Sequence, residues 1–174
     1  MYPSYTPFST RTGFAALFDR PEPVSAECAA RVAAVLADSG SRVVSVRPAA
    51  ERTLSLPELI AQIVRQAPAH APQDDWLECA FETLATPGPG FTRVTLLVAN
   101  AQVLEREALE YLQFTCRSAP QLRLALLGLP RLRETLSGPG LAWLRERLAW
   151  QTPADRAKEE PVPAPVASAP VTRA

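Results

Sequence analysis

Among the residues able to do chemistry, those closing the segment VTLLVANAQ (94–102) carry the clearest positional signal. VTLLV reads as a buried strand, and it runs straight into the polar turn Ala99-Asn100-Ala101-Gln102. Paired carboxylates at the end of such a strand could order a divalent cation and take a proton from water. Alanine can do neither, and a carboxamide brings no charge to the metal and no basic group for the proton. Asn100 and Gln102 can still offer hydrogen bonds. Gln102 is read as a cap for the helix that follows, with a ligand-facing amide as the sharper alternative.

The other reactive side chains are sparse. Cys28, Cys79 and Cys116 are odd in number, far apart and without metal-ligand spacing, which argues against a zinc site or a disulfide framework. Cys28 and Cys116 lie among apolar neighbours and are expected to be buried. The single histidine, His70, sits in the Pro-rich loop APAHAP, expected at the surface. Lysine occurs once, as Lys158. Between 117 and 147 six arginines face only Glu134 and Glu146. Arg131, Arg145 and Arg147 in that region suit an acidic protein partner, a phosphate or another subunit's nucleotide, or else form a solvated helix face. Trp143 and Trp150 flank the last helix and read as core or interface anchors rather than platforms for bases. Tyr2, Tyr5 and Phe8 near the N-terminus suit packing or partner contact equally.

Composition narrows the function classes. The 174 residues carry 18 basic and 18 acidic side chains, so no net field draws the chain to nucleic acid or anionic lipid. At 47% hydrophobic and 21% charged it is globular. No membrane-span or signal-peptide pattern is present, which makes the cytoplasm the expected location.

Positioning falls to alternating strands and helices. GFAAL (13–17) suits a first strand. Ser25 opens the helix AECAARVAAVLA, with Val32, Val35 and Leu36 on one face and Asp38-Ser39-Gly40 as its stop. RVVSVR (42–47) is a β-branched strand. Ser55-Leu56-Pro57-Glu58 is a capping box opening a helix through Ile60, Ile63 and Val64. Asp74 or Asp75 caps the next helix, with Trp76, Leu77, Ala80, Phe81 and Leu84. A strand at 93–98, an amphipathic helix at 104–116, the strand LRLALL (122–127) and helical pieces at 131–136 and 141–148 follow. Apolar strands separated by helices predict a three-layer α/β/α domain with a parallel sheet. Its binding loops, 19–25, 48–55, 99–104 and 128–131, gather at the C-terminal strand edge. The domain is expected over 14–152, after an N-terminal segment (1–13). The Pro/Ala-rich stretch 153–174 reads as a disordered tail, because it cannot bury enough apolar surface to offset its ordering entropy.

Taken in order, LLVANAQ (96–102), EALEYLQ (107–113), LRLALLGLPRL (122–132) and LRERL (144–148) resemble the AAA+ ATPases of the type II secretion A-component group. LSLPELIAQIV (54–64) is similar to that family's segment after its second strand. The resemblance covers about 14–150 and implies a P-loop NTPase-like fold, ATP and magnesium as family cofactors, and secretion or envelope biology. It also places the departures. Asp19 and Val24 stand where phosphate-loop glycines would be, and Ser25 and Ala26 stand for the lysine and threonine. Arg20 could lend charge to a phosphate there, but Pro21 and Pro23 remove N–H donors. Ala99 and Asn100 replace the strand-end Asp and Glu. Leu129 replaces the phosphate-sensing polar residue, Arg147 falls near an arginine-finger position, and the sequence stops where a helical lid would begin.

The reading that follows is a catalytically inactive ATPase-like domain acting as a protein-interaction or regulatory scaffold, in a hetero- or homo-oligomer, with no cofactor and no metal. The alternative is a nucleotide-binding regulator or weak ATPase with a non-standard phosphate loop. A third reading, an anti-sigma-antagonist-like module over 43–136, fits less well because of the capped helix pair between the second and third strands.

Overall fold

A computed structural model of the chain describes residues 14–17, 23–69, 71–72 and 74–151. The N-terminal segment (1–13), Asp19 and Arg20, His70 and the Pro/Ala-rich tail lie outside the described residues. The elements are β1 (Phe14–Leu17), α1 (Ala26–Asp38), β2 (Ser41–Val46), α2 (Leu56–Val64), α3 (Trp76–Ala85) and β3 (Arg93–Val98). A 3-10 turn (Ala101–Val103), α4 (Arg106–Ser118), β4 (Leu122–Leu127), α5 (Arg131–Leu136), α6 (Ala142–Arg147) and β5 (Ala149–Gln151) complete the order.

All strand pairings are parallel, and the sheet order is β2-β3-β4-β1-β5. Register is continuous across the centre, with Val44 beside Leu96 and Leu96 beside Leu124. Side chains alternate between faces, so this row and its neighbours two residues away point one way. On that face Val44, Val46, Val94, Leu96, Val98, Leu122, Leu124 and Leu126 pack against apolar residues of α2, α3, α4, α5 and α6. On the other face Leu97, Ala125 and Leu127 meet Leu36 of α1, with Val32 and Ala33 beside it. A strand covered on both faces gains from almost every residue, and each fully buried leucine contributes about 1.5–3 kcal/mol. The three-layer α/β architecture expected from the sequence is the one observed.

Caps and breakers set the local limits. Ser25 accepts from the Cys28 N–H at 3.1 Å and starts α1. Gly40, at φ +77°, takes the left-handed conformation that turns the chain into β2. Asp75, rather than Asp74, caps α3, accepting from the N–H groups of Leu77 (2.8 Å) and Glu78 (3.2 Å). The guanidinium of Arg42 donates to the carbonyls of Thr83 and Thr86, satisfying orphan acceptors at the end of α3.

Four expectations require correction. Trp76 and Leu77 do not join the buried face of α3: they are 59% and 54% exposed, and the helix buries Cys79, Ala80, Thr83 and Leu84 instead. They occupy the first turn of the helix, where helical period alone misassigns them. Val35 is exposed because α1 meets the sheet through Val32, Ala33 and Leu36. Cys28 is exposed, whereas Cys116 and Cys79 are buried. β5 was unanticipated; its three residues are too few to show a period.

Candidate functional site

The described parts of loops 19–25, 48–55, 99–104 and 128–131 converge at the C-terminal edge of the sheet, and two carboxamides tie them together. β3 ends at Val98, and Ala99 continues the pairing through its N–H to the Val46 carbonyl at 2.9 Å. The chain then turns sharply at Asn100, whose φ of 55° and ψ of 41° lie in the left-handed region. Asparagine tolerates that region better than other residues bearing a Cβ, which explains the residue type locally.

The turn directs the Asn100 side chain across the edge. Its Oδ1 accepts from the Val24 N–H at 2.8 Å, in the loop leading to α1. Its Nδ2 donates to the Pro48 carbonyl at 3.2 Å, in the loop leaving β2. Asn100 is 7% exposed, so both contacts form away from bulk water. One neutral side chain therefore joins three strand-end loops, and it takes up the backbone N–H of Val24 in the loop before α1.

Gln102 makes the second tie. Its Oε1 accepts from the Leu129 N–H at 3.2 Å, linking the 3-10 turn to the loop after β4. It does not cap the following helix: α4 begins after Glu105 with no side-chain cap, because the Gln102 amide is turned toward Gly128 and Leu129. A Cβ on Gly128 would stand 2.7 Å from Gln102 Oε1 and 3.3 Å from the Gln102 backbone N, so any larger residue there would displace the Gln102 amide. Gln102 is 7% exposed, and among the described residues its Nε2 has no hydrogen-bond partner.

The remaining candidates divide by position. Val24, Ser25, Ala26, Ala99, Asn100 and Gln102 lie along one edge, with Ser25 engaged as the α1 cap and Ala26 exposed in its first turn. Arg131, exposed, opens α5 just past that edge. Arg147 lies elsewhere: it is separated from β5 by Leu148 alone and so sits toward the N-terminal end of the parallel strands. Its guanidinium stacks on Trp143 at 5.1 Å from the ring centroid, and Arg117 of α4 approaches the same ring at 6.0 Å. Gln113 of α4 fixes that helix by donating to the Gly140 carbonyl (2.8 Å) and accepting from the Leu144 N–H (3.1 Å). Arg145 and Arg147 are exposed on α6.

The carboxylate of Glu58 bonds to Ser55 and Arg52 at the far end of loop 48–55, and among the described residues no three His, Cys, Asp or Glu side chains are grouped to hold a metal. Burial pushes the Cys116 thiol up to about 12, so it is not a nucleophile near neutral pH. No helix among the described residues is long and apolar enough to cross a membrane. Sequence reasoning found Asn100 and Gln102 through their place after a strand. It missed what they bond to, since their partners lie 76, 52 and 27 residues away.

No protein-family model matches the sequence, and no curated protein matches it. Solved structures do. The ADP form of the ORC2 protein of Aeropyrum pernix superposes with a TM-score of 0.56 at 12% identity, over 80% of this chain and 41% of that one. Cdc6p from Pyrobaculum aerophilum gives 0.54 at 15% identity, over 79% and 38%. A chain of Drosophila ORC bound to AT-rich DNA and Cdc6 gives 0.52 at 13% identity, over 80% and 48%. The chain thus spans under half the length of these structures. Likeness at such identity speaks for the fold alone: this chain has a three-layer, parallel α/β fold of the P-loop NTPase-like kind.

Proposed function

We propose that the chain is a catalytically inactive ATPase-like domain that works as a protein-interaction or regulatory scaffold, with a protein as its partner and no cofactor. The observation that carries the reading is the Asn100 brace. The side chain at the position of a water-activating carboxylate accepts from the Val24 N–H and donates one amide N–H to the Pro48 carbonyl. A bound triphosphate would need the loop amides free, a cation beside them, and a charged ligand for magnesium. Here the loop amide at Val24 is taken, and Ala99 and Asn100 offer neutral groups. The only lysine, Lys158, falls in the tail. This donor set does not fit magnesium-ATP.

Within the AAA+ class, the finer resemblance to the type II secretion A-component group rests on the sequence words quoted above. A scaffold of that descent would meet an active relative or another copy of itself. The exposed arginines Arg131, Arg145 and Arg147 are the side chains offered to an acidic partner surface, with Gln102 bracing the loop before Arg131.

Calorimetric titration of the full chain with ATP, ADP and GTP, with and without magnesium, tests the reading. No heat of binding is expected at millimolar nucleotide. A Kd below about 100 μM, roughly −5.5 kcal/mol, would overturn it in favour of a nucleotide-binding regulator with a non-standard phosphate loop.

A further inference from the structure

Toward the N-terminal end of the parallel strands, α4 and α6 present three arginines without a carboxylate partner. The ion pairs among the described residues join Arg31 to Glu27, Arg52 to Glu58 and Arg106 to Glu110. Arg117, Arg145 and Arg147 take part in none of them, and all three are exposed. Two of the three are nevertheless held in place. The Arg147 guanidinium lies 5.1 Å from the centroid of the Trp143 ring, and that of Arg117 lies 6.0 Å from it. Cation–π attraction thus gathers two positive charges, from two helices, onto one half-buried indole.

The platform beneath them is fixed. Gln113 ties α4 to the Gly140 carbonyl and the Leu144 N–H, and Arg106 donates to the Pro139 carbonyl at 2.6 Å. Leu141, Leu144 and Leu148 are buried along α6. Ordering two long arginine side chains normally costs binding free energy, and here the ring has ordered them beforehand. Like charges collected in this way repel each other until an anion from outside joins them.

The surroundings select the kind of anion. Phe114 is 62% exposed and lies one turn from Arg117 on α4, so an apolar contact adjoins the charges. Glu107 and Glu110 lie on the same stripe of α4, seven and four residues before Phe114, and Glu146 separates Arg145 from Arg147 in the chain. A long phosphate backbone laid across this surface would meet those carboxylates. A short peptide with paired carboxylates beside an apolar side chain reaches the arginines and Phe114 without meeting them. Tryptophan and arginine are also the residues that dominate binding energy in protein interfaces.

We infer that this arginine clamp seats the protein partner, which presents a short exposed segment of paired carboxylates beside an apolar residue. Arg117 and Arg147 take the carboxylates, Trp143 positions both guanidinium groups, and Phe114 and Arg145 form the rim. That the partner is a protein rests on the scaffold reading; its place and its chemistry rest on the geometry of the clamp.

Fluorescence anisotropy of a labelled decapeptide, built from glutamate pairs separated by leucines, tests the clamp when titrated with the nucleotide-free full chain. Saturable binding is expected. Arg117→Gln/Arg147→Gln should weaken it about ten-fold or more, whereas Arg65→Gln, at the end of α2, should change it less than about two-fold. Trp143→Ala leaves both charges in place and should still weaken binding about ten-fold, with Trp143→Phe recovering most of it. No saturable binding with the chain at about 1 mM overturns the inference. So does a double variant that binds like the wild type, or a Trp143→Ala variant that does, since charge alone would then suffice. A ten-nucleotide oligothymidylate that binds more tightly than the peptide, and is lost in the double variant, overturns it in favour of a nucleic-acid surface. Should far-UV circular dichroism show Trp143→Ala unfolded, the glutamine double variant decides. Nucleotide binding by calorimetry would sink the inactive reading and leave the peptide result standing; a peptide indifferent to the two arginines would sink the clamp alone.

Discussion

The Asn100 brace has a cost that can be worked out bond by bond. Replacing Asn100 with alanine removes its bonds to Val24 and Pro48. Each ordinary hydrogen bond contributes about 1 kcal/mol net, so the pair accounts for about 2 kcal/mol. The φ of 55° at this position adds a second component, because alanine resists the left-handed region by about 1 kcal/mol. Asn100→Ala should therefore destabilise by about 3 kcal/mol. Asn100→Gly, which is at ease at that φ, should lose only about 2 kcal/mol. Urea unfolding followed by circular dichroism reads both differences by linear extrapolation. Asn100→Glu should also destabilise: a carboxylate could still accept from Val24, but it would face the Pro48 carbonyl with no proton to offer. The reasoning fails if Asn100→Gly is as stable as the wild type, or if alanine and glycine cost the same. The first result would mean the amide bonds contribute nothing, the second that the left-handed turn is not held in solution.

Three further outcomes follow from other parts of the fold. Gly128→Ala sets a methyl 2.7 Å from Gln102 Oε1 and should cost about 1–3 kcal/mol in the same urea assay. Adding Gln102→Ala should recover part of that loss, because the obstructing amide is gone; equal costs in both backgrounds would contradict the close approach. A thiol-reactive chromophore should label the exposed Cys28 in the native protein and reach Cys79 and Cys116 only after denaturant, with fast native labelling of all three as the contrary result. The Glu58 carboxyl is held below its usual range by the Ser55 backbone N–H, then by the Ser55 hydroxyl, with Arg52 adding to it. Its contribution is thus present above the ordinary value of about 4.3 and lost as pH falls through the lower folded-state value. Glu58→Gln should flatten that part of the acid limb of a stability-pH profile, and an unchanged limb would refute the capping box as its source.

How much of this was legible in the sequence depends on the range of the interaction. β3 at 93–98 and β4 at 122–127 stood out because a strand buried on both faces is apolar over its whole length. The capping box at Ser55 and Glu58 was legible because its partners lie three residues apart. Legibility ended where geometry overrides period. Trp76, Leu77 and Val35 fit a helical repeat, yet they are exposed, because α1 meets the sheet through Val32, Ala33 and Leu36 and α3 buries Cys79, Ala80, Thr83 and Leu84. Gln102 suited a local cap, and its partner at Leu129 belongs to another loop. The fate of Asn100 could have been suspected from one signal, since asparagine directly after a buried strand favours a left-handed turn. Its long-range partners left no trace in the sequence.

The same chemical device recurs wherever this chain departs from an ionic solution. Asn100 and Gln102 brace the strand-end loops, Gln66 and Gln62 cover the β2 edge, and Gln113 seats the start of α6. A carboxamide holds a donor and an acceptor in one plane, so it can pair with a peptide group as another peptide would. It also avoids the desolvation cost of burying a charge, several kcal/mol for an unpaired ion. A phosphate-binding edge that keeps its carboxylate and lysine needs ligand or solvent to satisfy them. An edge braced by amides can meet those needs from its own backbone, as Asn100 does at Val24 and Pro48 and Gln102 Oε1 does at Leu129. On this argument the neutral residues tie the loops at the C-terminal edge of the sheet to one another through their own amides.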